Sequence, residues 1–140
     1  MIGTLFQGST VPVLEQVMTF AQKRHNVLAG NIANVDTPGY HARELSLDQF
    51  QDNLRSAIDE RDAPAILRAI NGDGLEQPLG PKIADVADST DTILRHDENS
   101  VNIEHQVSEM AKNRILHNTA LTILMRQFRM LETAIRERIN

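Results

Sequence analysis

Cysteine and tryptophan are absent, tyrosine occurs once, and aromatic residues make up 4% of the 140. Without Cys there are no disulfides and no thiolate metal sites. A core short of rings must be built from aliphatic side chains and Met, which favours helix packed on helix. No apolar run approaches the roughly 18 residues of a membrane span. The opening MIGTLFQGSTVPVLEQ has neither a basic n-region nor an apolar h-region, so no cleaved Sec signal peptide is expected. A Gly-rich phosphate loop, a nucleophile elbow and a paired-carboxylate context are also lacking, so catalysis is not expected. His25, His41, His96, His105 and His117 show no ligand spacing, and neither a metal nor another cofactor is expected.

Charge is unevenly placed. The chain carries a net −5, yet residues 46–98 hold twelve acidic and five basic residues, a balance of −7 that leaves the two ends at +2. An acidic middle without basic stripes argues against a nucleic-acid surface. It reads as a solvated face or as an electrostatic docking surface for another protein.

Apolar residues make up 41% of the chain, and their periodicity dominates both ends. From Pro12 to about Asn34, the positions Leu14, Met18, Ala21, His25, Leu28, Ile32 and Val35 are spaced alternately four and three apart, the repeat of a coiled-coil seam. Thr10 is placed to cap this helix, with Pro12 in the first turn, where its missing N–H costs little. Asn34 suits the C-terminal cap. Pro38 and Gly39 then suit the two central positions of a type II turn. At the other end Ile103, Val107, Met110, Arg114, His117, Leu121, Leu124, Phe128, Leu131, Ile135 and Arg138 keep the same alternation, with Ser100 or Asn102 as candidate caps. A flanking row of Leu116, Ala120, Ile123, Gln127, Met130 and Ala134, apolar at five of its six positions, widens the apolar surface beyond what one partner helix needs. His25 and His117 both fall on these seams, where they would face each other as polar positions that fix register.

The middle is less regular. Ser46-Leu47-Asp48-Gln49 reads as a capping box ahead of Phe50, Leu54 and Ile58 at helical spacing. A short helix over 63–70 is possible, and the Asn71–Gly74 and Pro78–Pro81 runs punctuate a loop. The expected fold is mainly α: long N- and C-terminal helices packing as a coiled-coil-like bundle around an irregular middle segment. Three regions follow, an N-terminal helix and turn at 1–45, a variable acidic segment at 46–98, and a C-terminal helix at 99–140.

The segment Leu28-Ala29-Gly30-Asn31-Ile32-Ala33-Asn34-Val35-Asp36-Thr37-Pro38-Gly39-Tyr40 resembles the N-terminal signature of the flagellar axial proteins, the family of rod, hook and hook-associated subunits. His41-Ala42-Arg43-Glu44-Leu45 and then Phe50 are similar to its continuation in the proximal rod subunits, and the short chain fits those better than the longer distal ones. Asn99-Ser100-Val101-Asn102-Ile103-Glu104, with Met110-Ala111-Lys112-Asn113, is similar to the family's approach to its C-terminal helix. Glu98, Ser100, Asn102 and His117 depart from that pattern, where Gly, Asn, Asp and a nearby Tyr are usual.

The resemblance implies a structural subunit of the basal-body rod, exported through the flagellar type III apparatus and assembled in the periplasm into a hollow drive shaft. Its implied partners are copies of itself, FlgC and further rod proteins, the adaptor FliE and the membrane ring protein FliF. Asn31, Ile32, Ala33, Asn34, Thr37, Pro38, Gly39 and Tyr40 are its motif and turn. Leu14, Met18, Ala21, Leu28, Ile32, Ile103, Val107, Met110, Leu121, Leu124, Phe128, Leu131 and Ile135 become candidate assembly seams. Asn31 and Asn34 are either plain helix-end residues or amides that bond backbone or a neighbouring chain to fix the turn, with the Tyr40 ring packing to anchor it. Two other readings remain: a soluble coiled-coil adaptor that closes into a discrete oligomer, and a different rod protein such as FlgC.

Overall fold

A computed structural model of the chain describes residues 9–62, 83–90, 92–94 and 103–137. The possible helix at 63–70, both loop runs and the Ser100 and Asn102 caps lie outside the described residues. Within them the order is α1 (Val11–Ala33), β1 (Arg43–Leu45), α2 (Leu47–Asp62), a 3-10 turn (Ile83–Asp85) leading into α3 (Val86–Ser89), β2 (Thr92–Leu94) and α4 (Ile103–Glu137). The architecture is mainly α, as periodicity implies.

The start of α1 is satisfied from an unexpected residue. Ser9 Oγ accepts the Val11 amide at 3.3 Å, whereas the Thr10 side chain makes no cap bond. Thr10 Oγ1 instead receives Gln127 Nε2 from α4. The helix ends where Asn34 turns both its backbone N–H (3.2 Å) and its side-chain Nδ2 (2.8 Å) onto the Gly30 carbonyl, covering an acceptor that helix termination would orphan. For α2 the capping box works from Ser46, whose Oγ accepts the Gln49 amide at 3.2 Å.

A compact core forms on one side of α1. Phe20, Leu45, Phe50, Ala57, Val86 and Ala87 are buried together, with Val17, Leu47, Leu54 and Ile83 packed against them. The Phe20 and Phe50 rings stack with centroids 4.0 Å apart, so two of the few aromatics are spent joining α1 to α2. The α3 segment is pinned over them: Gln16 Oε1 accepts the Ala87 amide at 3.0 Å, and Lys23 Nζ reaches the Ala87 carbonyl at 3.1 Å and the Asp88 carboxylate. A two-stranded antiparallel ladder, Arg43 opposite Leu94 and Leu45 opposite Thr92, closes this side. No alternating run announces these strands, because three residues are too few to show a period of two.

On its other side α1 packs antiparallel to α4. Thr10 meets Gln127, Asn113 Nδ2 donates to the Ala21 carbonyl at 2.8 Å, Arg24 pairs with Glu109 at 2.8 Å, and Asn31 bonds Gln106 at 3.1 Å. From Gln127 to Glu137, α4 runs about 15 Å beyond the level of Thr10 at ~1.5 Å per residue.

Candidate assembly surface

The helices do not meet along the rows that periodicity marks. On α1 the row facing α4 is Thr10, Leu14, Ala21, Arg24, Leu28 and Asn31, of which all but Thr10 are buried. It shares Leu14, Ala21 and Leu28 with the expected seam and replaces His25 and Ile32 by Arg24 and Asn31, one residue earlier, while Met18 has no counterpart in it. Met18 and Ile32 are half-buried and His25 is exposed. On α4 the facing row is Gln106, Asn113, Ala120 and Gln127, again one residue before Val107, Arg114, Leu121 and Phe128.

Polarity explains the displacement. Gln106 and Asn113 are 6% and 3% exposed, while Val107, next to Gln106, and Phe128, further along α4 next to Gln127, are 53% and 48% exposed. Hydrogen bonds therefore hold the two helices in register, and the apolar rows are left at their flanks. Ile103, Ile115, Ile123, Met130, Leu131 and Ile135 are likewise exposed, whereas Met110, His117, Leu121 and Leu124 are half-buried. With Arg24 opposite Glu109, His25 lies about two helical turns from His117 along the axis, so those two do not face each other.

At the polar seam's charged point, Glu109 Oε2 accepts from Arg24 and Oε1 from Lys112 at 2.7 Å. The Lys112 ammonium, and after it the Arg24 guanidinium, hold the Glu109 carboxyl below the usual carboxylate range against the opposing pull of burial. A depressed carboxyl contributes stability above its unfolded-state pKa and loses it as pH falls through the folded-state value. Replacing Glu109 by Gln should therefore cost about 1–2 kcal/mol at neutral pH and flatten the acid limb of a pH-stability profile measured by urea unfolding. An unchanged acid limb would show that the pair contributes nothing.

The motif residues come together at the end of α1. Asn31, 1% exposed, uses its whole amide: Nδ2 donates to the Arg43 carbonyl at 2.7 Å and to Gln106 Oε1 at 3.1 Å, while Oδ1 accepts the Tyr40 hydroxyl at 3.1 Å and the Arg43 amide at 3.0 Å. Asn34 works within the turn, accepting the Thr37 hydroxyl at 3.4 Å besides capping Gly30. Tyr40 N–H closes a turn onto the Thr37 carbonyl at 3.2 Å, and Gly39 sits at φ +77°, the value that the third residue of a type II turn requires. Tyr40 thus anchors the turn through its hydroxyl. Ile32 is half-buried and Ala33 exposed, so the motif's apolar members stand apart from the amide network.

Among the described residues no group of His, Asp and Glu is arranged to hold a metal ion, and no helix is long and apolar enough to cross a membrane. The geometry is that of a packing surface: two helices locked by polar bonds, with aliphatic rows on their flanks.

Comparison with known proteins agrees. The chain is 30% identical to the flagellar basal body rod protein FlgB of Cereibacter sphaeroides over 128 residues, 86% of this chain and 89% of that one. It belongs to the FlgB family of flagellar basal body rod proteins. The FlgB of Aquifex aeolicus is 29% identical over 96% of this chain and 97% of its own, and that of Bacillus subtilis 26% identical over 94% and 96%. A family model described as flagella basal body rod protein matches residues 18–41, the stretch that ends α1 and forms the turn around Asn31. As a FlgB family member the chain is a structural protein of the flagellar basal body rod.

Sequence reasoning missed Arg24, Gln106, Glu109 and Asn113. Its signal was there, since all four stand one residue from an apolar seam at heptad-like spacing, but polar residues in that position read as solvent-facing.

Proposed function

We propose that this FlgB family chain polymerises through its terminal helices into the proximal rod, the hollow drive shaft that motility needs. The carrying observation is the exposed aliphatic surface on α4, where Val107, Ile115, Ile123, Met130, Leu131 and Ile135 are each more than 40% exposed. Water-exposed Ile and Leu in this number mark a contact surface. Burial at about 25 cal/mol per Å² makes a few such side chains worth several kcal/mol. Because the polar seam sets the pairing of α1 with α4, the aliphatic rows stay available to neighbouring chains. A surface of this kind, used head to tail, grows openly instead of closing.

The neighbours under this reading are further copies, FlgC and other rod proteins, with FliE and the ring protein FliF at the base. The chain reaches the periplasm through the flagellar type III apparatus without cleavage of a signal peptide. Membership of the family supports these assignments, and the exposed rows support packing against neighbouring chains.

An epitope-tagged chain should co-purify with isolated basal bodies, and deleting its gene should abolish swimming and leave no rod. A discrete soluble dimer or tetramer, with normal basal bodies in the deletion strain, would instead identify a closed coiled-coil adaptor.

A further inference from the structure

The surface-exposed turn and the C-terminal helix lie more than sixty residues apart in sequence, yet both hang on one buried side chain. Asp36, Thr37, Pro38, Gly39 and His41 are exposed, so the turn projects into solvent. Its inner end is held by the Tyr40 hydroxyl on Asn31 Oδ1, and α4 is held by Asn31 Nδ2 on Gln106 Oε1. The two remaining amide bonds run to the backbone N–H and carbonyl of Arg43, the first residue of β1. A carboxamide offers two donor hydrogens and two acceptor sites, and here all four are engaged.

We infer that Asn31 is a two-way latch that makes the closed turn and the docking of the first turns of α4 a single cooperative event. The physical reason is geometric. With four partners the amide has one acceptable orientation, and losing the bond on one side lets it tilt about its two Arg43 bonds and weakens the bond on the other. Buried hydrogen-bonded networks couple in this manner because each member orients the next. The rest of the seam does not share the link: Asn113 bonds the Ala21 carbonyl in mid-helix, and Glu109 bonds Arg24. By reciprocity, whatever grips the turn in its closed form tightens α4, and whatever packs α4 more firmly closes the turn.

Amide hydrogen exchange on the full chain tests this. Tyr40→Phe removes only the hydroxyl, and should speed exchange of the α4 amides from 106 to 113 by about tenfold, the loss of one buried hydrogen bond. Gln106→Met, made separately, should speed exchange at the turn amides of Thr37 and Tyr40 by a similar factor. In both variants the α2 amides from 50 to 57 should keep their rates, since the Phe20 and Phe50 core lies outside the latch. Effects of Tyr40→Phe confined to residues 37–43, or of Gln106→Met confined to α4, would overturn the inference. So would an equal acceleration in α2, which would mean general destabilisation and no dedicated link.

Discussion

A chain carrying Ile123→Glu with Ile135→Glu should fold as the parent does and be missing from the basal body. Ile123, 44% exposed, flanks the seam that joins α4 to α1, and Ile135, 62% exposed, lies on the stretch of α4 that runs beyond it. Substitutions at such positions typically change stability by less than about 0.5 kcal/mol each. In an assembled rod the same carboxylates would be carried into an apolar contact, where an unpaired charge costs several kcal/mol. Helix content and thermal midpoint should therefore be unchanged within about 2 °C, while immunoblots of purified basal bodies lose the chain and swimming stops. Normal incorporation would show that these rows are not where neighbouring chains pack. Pairing the substitutions with Thr119→Glu, on the same helix but polar already, separates loss of apolar contact from added charge.

Asn31→Ala should be the most damaging single substitution in the folded subunit. It strands the Tyr40 hydroxyl, the Arg43 N–H and carbonyl, and Gln106 Oε1, four groups the wild-type amide satisfies at 2.7–3.1 Å. Each buried orphan costs roughly 1–3 kcal/mol, and partial access of water to the turn reduces the sum to about 3–4 kcal/mol. A marginally stable chain of this size loses a large share of its stability at that cost. Asn31→Asp gives a sharper signature. Its carboxylate still accepts from Tyr40 and Arg43, but turns an anionic oxygen toward the Arg43 carbonyl and Gln106 Oε1. Protonation restores one donor, so this variant should recover part of its deficit relative to wild type as pH falls, whereas the Ala variant should not. Equal deficits at pH 7 and pH 5 for both variants would count against a donor role for the Asn31 amide.

These two outcomes separate the interface inside the subunit from the surface offered outside it. Composition and periodicity reveal both long helices, because aliphatic residues at alternating spacings of four and three survive as a pattern whatever their partner is. The same pattern misplaces the intramolecular contact by one position along α4 and at His25 and Ile32 of α1, while Leu14, Ala21 and Leu28 are placed correctly. Rows one residue apart are 100° apart on the helix. Between them, a pattern reader chooses the row with more apolar members, here Ile32 over Asn31 on α1, and Val107, Leu121 and Phe128 over Gln106, Ala120 and Gln127 on α4. That choice fails when polar side chains find partners across the interface, as Asn31 does with Gln106 and Arg24 with Glu109, since a satisfied amide or ion pair can be buried at little net cost.

The turn was more legible than the seam. Pro38-Gly39 determines a type II geometry through φ alone, and Asn34 beside Gly30 determines the helix end, because both effects act over a few residues of chain. The stacking of Phe20 on Phe50, the pinning of Ala87 by Gln16, and the pairing of Arg43–Leu45 with Thr92–Leu94 have no such local signature.

By itself, then, the sequence determined the end of α1 at Asn34, the start of α2 at Ser46, the shape of the turn between Thr37 and Tyr40, and the resemblance to flagellar axial proteins. Only the tertiary structure decided which row of each helix faces the other, and that Asn31 ties four parts of the chain together. Local conformation is set by propensity and caps within a turn or two of chain. Whether a polar side chain is buried depends on a partner that arrives from 75 or 85 residues away, as Gln106 does for Asn31 and Glu109 for Arg24.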